Sequence, residues 1–185
     1  KEVMEQLIQK VLDLDMAEAP FRIEGLEKEG YEQLIDVSGG LKARLSGTID
    51  RMDAKDEVLR ITDYKTGKVE FAKKGRKFKT EEEVLQAYFE EPDFKSGFQA
   101  YLYAYLVAPH TDQSLRVGIT TMKELSSGTK WLKGNKTLSS TEIEEFGQRL
   151  EQLVKEIFDP NQPFIQTEDI ERCSYCEFKK VCKRM

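Results

Sequence analysis

Val3, Leu7, Ile8, Val11, Leu12 and Leu14 recur at three- and four-residue spacing, which predicts an amphipathic helix over residues 2–14, closed off by Ala19-Pro20. The pattern then shifts to a period of two. Residues 21–28 alternate loosely about Phe21 and Ile23, and residues 31–37 read as the hairpin partner of that stretch, with Ser38-Gly39-Gly40 as a turn. A cleaner strand follows, with Leu41, Ala43, Leu45, Gly47 and Ile49 on one face and Lys42, Arg44, Ser46, Thr48 and Asp50 on the other. The polar stretch 54–57 is short enough for a four- or five-residue hairpin loop, which pairs this strand antiparallel with residues 59–65.

Further along, Thr80 precedes three glutamates and predicts the N-cap of a helix to Glu90, with the acidic side chains favouring its positive end. A second helix spans 94–108, where Gln99 and Tyr103 fall on one face at i and i+4, and Tyr101, Tyr103 and Tyr105 read first as core. Residues 115–122 alternate as another strand. A helix crossing between strands implies a mixed α/β sheet flanked by helices. Residues 126–138, with Trp131, read as a loop or irregular hairpin in which the indole either stacks on a base or anchors the loop to the body. Ser140 or Thr141 caps a last helix to Phe158, whose stripe of Ile143, Phe146, Leu150, Leu153, Val154 and Ile157 is structural.

The central hairpin carries the candidate chemistry. Asp63 and Lys65 are two residues apart, so their side chains leave the same face roughly 6–7 Å apart along the strand, and pairing of the strands brings Asp50 towards Asp63. Carboxylate oxygens suit Mg²⁺ or Mn²⁺, which takes one or two protein carboxylates beside water and phosphate oxygens. A lysine two residues on steadies charge building on a phosphate. The same residues also read as solvated hairpin charges with Lys65 as an ordinary ion-pair partner, and spacing alone leaves both readings open.

Composition narrows the setting. The chain has 185 residues, 39% of them hydrophobic and 34% charged, which fits one domain over residues 1–185 with a sizeable core. No apolar run has the length of a membrane span or a signal-peptide core, so a soluble cytoplasmic protein is expected. It begins at Lys1 rather than Met, which suggests part of a larger protein. The net charge of −5 is unlike that of a general nucleic-acid binder. Its distribution is another matter: Lys65, Lys68, Lys73, Lys74, Arg76, Lys77 and Lys79 face a lone Glu70 just after the candidate acids. Such a stretch attracts phosphate or is simply a solvated, mobile loop at 68–79.

Three cysteines, all near the end, argue against a secreted disulfide framework. Cys173, Cys176 and Cys182 have the spacing of thiolate ligands of a metal centre, one ligand short of four. His110, the only histidine, sits in a Pro-His-Thr loop and reads as a surface residue. Zinc completed by a carboxylate or a distant ligand is one solution, and three reduced thiols the bland alternative.

Taken in order, Gly47-x-Ile49-Asp50-Arg51-x-Asp53, Asp63-Tyr64-Lys65-Thr66-Gly67 and Gln99-x-x-x-Tyr103 resemble the PD-(D/E)XK nuclease superfamily in its RecB-like and AddB-like, helicase-associated branch. The resemblance implies a restriction-endonuclease-like core, with Asp50 and Asp63 binding metal, Lys65 as catalytic lysine, and Gln99 and Tyr103 beside the active site in a motif associated with DNA contacts. It further implies a metal-dependent DNA exonuclease joined to a helicase in double-strand-break repair, and a 4Fe–4S iron–sulfur cluster on Cys173, Cys176, Cys182 and a fourth cysteine. That fourth cysteine is absent here, as is the additional metal-binding histidine that such enzymes carry before the sheet, for which Glu24 is the candidate substitute. A CRISPR-associated single-strand exonuclease of the same superfamily and a catalytically silent DNA-holding module are the alternatives.

Overall fold

Five strands in the order β1-β2-β3-β4-β5 make one mixed sheet in the computed structural model, which describes residues 2–71, 77–163 and 165–184. Helix α1 (Glu2–Glu18) precedes β1 (Arg22–Asp36), β2 (Lys42–Lys55) and β3 (Val58–Lys65), all antiparallel neighbours. Helices α2 (Glu81–Glu90) and α3 (Lys95–Val107) then carry the chain across to β4 (Ser114–Thr121), parallel to β3. That is the long helical crossover a parallel pair requires. The short β5 (Lys130–Trp131) returns antiparallel to β4, so the irregular hairpin expected at 126–138 is present, and α4 (Ser140–Ile157) follows.

Three local expectations are corrected. Residues 21–28 and 31–37 do not form a hairpin: β1 is one strand whose two halves both pair with β2, with register shifts at Ile23/Gly25 and Lys28/Tyr31. Glu27 and Gly30 take positive φ there. A glycine at the end of a charged run looks like a turn in sequence, but the long β2 offers a continuous partner, and the irregularity is absorbed as a bulge. The β2–β3 loop is also shorter than expected. Lys55 pairs with Val58, leaving Asp56 and Glu57 as the turn, both with positive φ (50° and 65°), the backbone that suits the twist of a two-residue hairpin. Finally, α4 is capped by Ser139. Its hydroxyl accepts from the N–H of Glu142, whose carboxylate accepts in return from the N–H of Ser139, a capping box one residue earlier than expected.

Alternation sorts the sheet into two faces. Met52, Leu59 and Ile61 point into a core shared with α2, α3 and α4, while Arg51, Asp53 and Arg60 point the other way, towards α1. On the core side Phe146 of α4 meets Phe98, Tyr101 and Tyr105 of α3 at ring-centroid distances of 5.3, 5.4 and 6.4 Å. At about 0.5–1.5 kcal/mol per aromatic pair beyond area burial, these contacts fix how α3 is rotated. Tyr101 and Tyr103 are buried and Tyr105 packs at the core's edge, so the core reading of all three holds. Gly97 lets α2 and α3 approach closely, since a Cβ there would lie 2.2 Å from the Tyr88 ring. Among the described residues no helix is long and apolar enough to cross a membrane.

Candidate active site

The rotation of α3 that packs Phe98 against the core and buries Tyr101 turns Gln99 and Tyr103 towards the sheet, onto Asp63 of β3. Gln99 Nε2 donates to Asp63 Oδ1 at 3.2 Å and to the Tyr103 hydroxyl at 2.8 Å, and that hydroxyl donates to the same Oδ1 at 3.3 Å. Lys65, on the same face of β3, places Nζ 3.0 Å from Oδ1 and 2.9 Å from Oδ2. Only its approach to Oδ1 has hydrogen-bond geometry, so that oxygen collects three donors. Oδ2 is the one buried side-chain nitrogen or oxygen left without a hydrogen bond among the described residues.

Asp50 joins this group from β2. The last β2–β3 pair on this side is Arg51 with Thr62, and one further step in register sets Asp50 against Asp63. There the ladder ends, and Asp50 Oδ2 instead accepts the main-chain N–H of Tyr64 at 2.8 Å. The electrostatics follow from burial. Desolvation pushes the Asp63 carboxyl above its ordinary range and the Asp50 charge pushes the same way, while Lys65 and Tyr103 pull it down. Burial, with the charges of Asp63 and Asp50 added, pushes the Tyr103 phenol up to about 12. Tyr103 therefore acts at neutral pH as an uncharged donor. Asp63 is 3% exposed whereas the Lys65 side chain is 36% exposed, so the amine is reachable from solvent and the acid behind it is not.

Residues 1–183 match the sequence profile of the PD-(D/E)XK nuclease superfamily. The chain belongs to that superfamily. Its mixed five-stranded sheet flanked by helices is the restriction-endonuclease-like arrangement of these nucleases. Among proteins of curated function none matches in sequence. A solved structure described as "Crystal structure of SSO0001" is 16% identical, with a TM-score of 0.42 over 99% of this chain and 68% of that one.

Nucleases of this superfamily use divalent metals such as Mg²⁺ or Mn²⁺. The residues present fit such an ion: a buried carboxylate oxygen with no hydrogen bond, a second acid beside it, and hard oxygen donors throughout. Asp50 and Asp63 are the side chains that would hold it. The pair is smaller than a full protein cage, and among the described residues no group of three or more His, Cys, Asp or Glu side chains is arranged to hold a metal ion.

Other expected site residues lie elsewhere. Glu24, the candidate for the extra ligand, is engaged by its neighbour Arg22 at 2.5 Å on β1. His110 is exposed, edge-on to Tyr31 at 5.4 Å. Trp131 anchors its loop. Arg116 lies over its ring at 4.3 Å and Arg60 at 5.8 Å, so guanidinium groups occupy the indole that sequence offered as a base-stacking platform. The iron–sulfur expectation finds no support: Cys173, Cys176 and Cys182 are free and half-buried, and they are not gathered into a metal-holding set. The tail runs as successive tight turns, with the Cys173 sulfur accepting from Arg184 at 3.5 Å. In the basic stretch, residues 72–76 lie outside the described residues. Its described ends are held down rather than loose, with Val69 buried and Phe71 and Phe78 packed on the core.

Sequence reasoning missed the reverse side of the same two strands. Arg51, Asp53 and Arg60 are 6%, 2% and 5% exposed, with Asp53 accepting from both arginines at 2.9 and 2.5 Å. Helix α1 completes the network: Asp15 accepts from Arg51 at 2.8 Å and Glu18 from Arg60 at 3.0 Å, while both guanidinium groups lie over the ring of Phe21. The available signal was the period-two placement of charges in strands otherwise apolar, opposite a helix ending in acids.

Proposed function

We propose that this chain is the DNA exonuclease domain of a RecB-like or AddB-like helicase–nuclease acting in double-strand-break repair, with Asp50, Asp63 and Lys65 as its catalytic residues. The observation that carries the reading is the divided state of Asp63: one oxygen saturated by Lys65, Gln99 and Tyr103, the other buried beside a second acid, without a hydrogen bond and faced by the Lys65 ammonium at 2.9 Å. A buried carboxylate oxygen without a hydrogen bond carries a cost, the Lys65 ammonium offsets only part of it because burial still raises the Asp63 pKa, and a divalent cation would offset the rest.

Each residue then has a task. Asp50 and Asp63 hold the metal. A bound divalent ion supplies positive charge to a phosphate oxygen and lowers the pKa of its water. Lys65, half held by Asp63 and open to solvent, offsets the negative charge that builds on the phosphate as the phosphodiester is attacked. Gln99 and Tyr103 hold Oδ1, so Asp63 cannot rotate its free oxygen away. The link to a helicase and to DNA ends is supported by the joint occurrence of the three motifs, which this branch of the superfamily carries in the same order.

The test is digestion of end-labelled single-stranded DNA with Mg²⁺ or Mn²⁺. Lys65→Ala is expected to lower the rate by about 10²-fold or more, with short products from an open end and resistance of circular single strands. Failure of the parent chain to digest DNA in either metal would sink the nuclease assignment, and cutting of circles would sink the exonuclease part alone.

A further inference from the structure

The acid pair and the buried ion network occupy opposite faces of the same two strands, and one residue touches both. Tyr64 lies between Asp63 and Lys65. Its main-chain N–H donates to Asp50 Oδ2 at 2.8 Å, and its hydroxyl accepts from Arg51 Nη1 at 3.2 Å on the α1 side. The proposed metal site thus rests on one side against a hydrogen bond whose direction is set by the peptide of Tyr64. That peptide lies beyond the last β2–β3 ladder pair, so on this edge the side chain of Asp50 stands in for the missing strand partner.

Arg51 itself has little freedom. Asp53 holds its Nε at 2.9 Å and Asp15 of α1 holds its Nη1 at 2.8 and 2.9 Å, and the side chain is buried. A fixed guanidinium gripping the phenol limits rotation of β3 about its axis, and that rotation is what would swing the Tyr64 N–H away from Asp50. On its other edge β3 is paired with β4, Tyr64 opposite Thr120, so the strand stays in the sheet whatever happens at the hydroxyl.

We propose that Tyr64 is a positioning residue for the metal-holding carboxylate Asp50, carrying the docked state of α1 through Asp15, Arg51 and its own phenol to the opposite face of the sheet. The proposal rests on the reading of Asp50 and Asp63 as metal ligands. It assigns the tyrosine between the second acid and the lysine, and the arginine after the first acid, a task other than touching substrate.

Tyr64→Phe isolates this task. It removes the hydroxyl and keeps the ring and the N–H, and Arg51 retains both acidic partners, so the fold is expected to persist. Mn²⁺ binding is read directly, by the loss of the free-ion electron paramagnetic resonance signal on titration, without DNA. Y64F is expected to bind Mn²⁺ about tenfold more weakly, as outer-sphere substitutions do. In the nuclease assay the apparent KM for Mn²⁺ should rise in step while kcat at saturating metal stays within about twofold. A merely structural tyrosine would lower Tm and leave Mn²⁺ affinity unchanged at temperatures where the variant is folded, and that result overturns the proposal. A parent chain that binds no Mn²⁺ overturns the metal reading and this proposal together, whereas a parent that binds Mn²⁺ and a Y64F that binds it equally well overturn this proposal alone. Should Y64F fold too poorly to read, Asp15→Ala, which removes the acceptors that tie Arg51 to α1, is expected to weaken Mn²⁺ binding several-fold, and unchanged affinity there overturns it.

Discussion

Asp63 is held in a state that costs stability until something binds it. Burial raises its pKa in the folded chain, so folding favours the protonated form. Its contribution is most favourable at pH below the ordinary carboxylate value, falls as pH rises through the raised folded value, and is fully adverse above it. Removing the charge should relieve this. Asp63→Asn keeps an acceptor for Gln99 and Tyr103 and, without metal at neutral pH, is expected to raise Tm by about 2–4 °C, the equivalent of roughly 1 kcal/mol in a chain this size. Adding Mn²⁺ should raise Tm of the parent, by an amount corresponding to about 2.7 kcal/mol at a hundred times Kd, and leave D63N unmoved. Equal Mn²⁺ stabilisation of both proteins in thermal unfolding would remove Asp63 from the metal. At this scale much was legible. The spacing of Asp63 and Lys65, and of Gln99 and Tyr103, gave which side chains share a face, because strand and helix periods are fixed by backbone geometry. That Lys65, Gln99 and Tyr103 would converge on a single oxygen of Asp63 was not legible, since it depends on how far α3 is rotated over the sheet by Phe146.

Helix α1 docks differently from the others. None of its residues is buried, and Val3, Ile8, Leu12 and Met16 remain exposed, so much of its attachment runs through Asp15 and Glu18. Hydrogen bonding from Lys55 and then Arg60 holds the Glu18 carboxyl below its ordinary value near 4.5. A depressed folded pKa contributes stability above the ordinary value and loses it as pH falls through the folded one. Docking of α1 should therefore loosen on acidification below about pH 4.5, read as faster hydrogen exchange of its amides. The effect is modest, because the Glu18 side chain is 58% exposed and screened by solvent. Glu18→Gln should show a smaller change between pH 6 and acid, and an identical pH response in the two proteins would contradict the role given to this carboxylate. Periodicity found α1 but stopped it at residue 14, because the apolar stripe gives way to Asp15 and Glu18, whose place is owed to arginines on strands more than thirty residues away. The same limit explains β1, where a local turn signal lost to the pairing offered by β2.

Across the whole molecule the net charge is −5, and a polyanion is attracted only where local charge departs from that sum. The basic run after Lys65 is the departure, and Lys77 and Lys79 at its described end are exposed. Replacing both by glutamate is expected to weaken binding of single-stranded DNA several-fold and to flatten the salt dependence by about 0.7 for each phosphate no longer neutralised, measured by fluorescence anisotropy at several salt concentrations. An unchanged slope would return these lysines to the role of solvated charges. Membership of the nuclease superfamily, the order of strands and helices from β2 onwards, and the residues of the acid pair were written in the sequence, because period, turn chemistry and motif spacing are properties of neighbours along the chain. Tertiary structure alone decided that Asp63 has one oxygen with three hydrogen-bond donors and one with none, that Trp131 is taken up by arginines, that the cysteines do not gather, and that Tyr64 joins the two faces. Each of these depends on groups distant in sequence meeting at a particular distance and burial, and no local pattern encodes that.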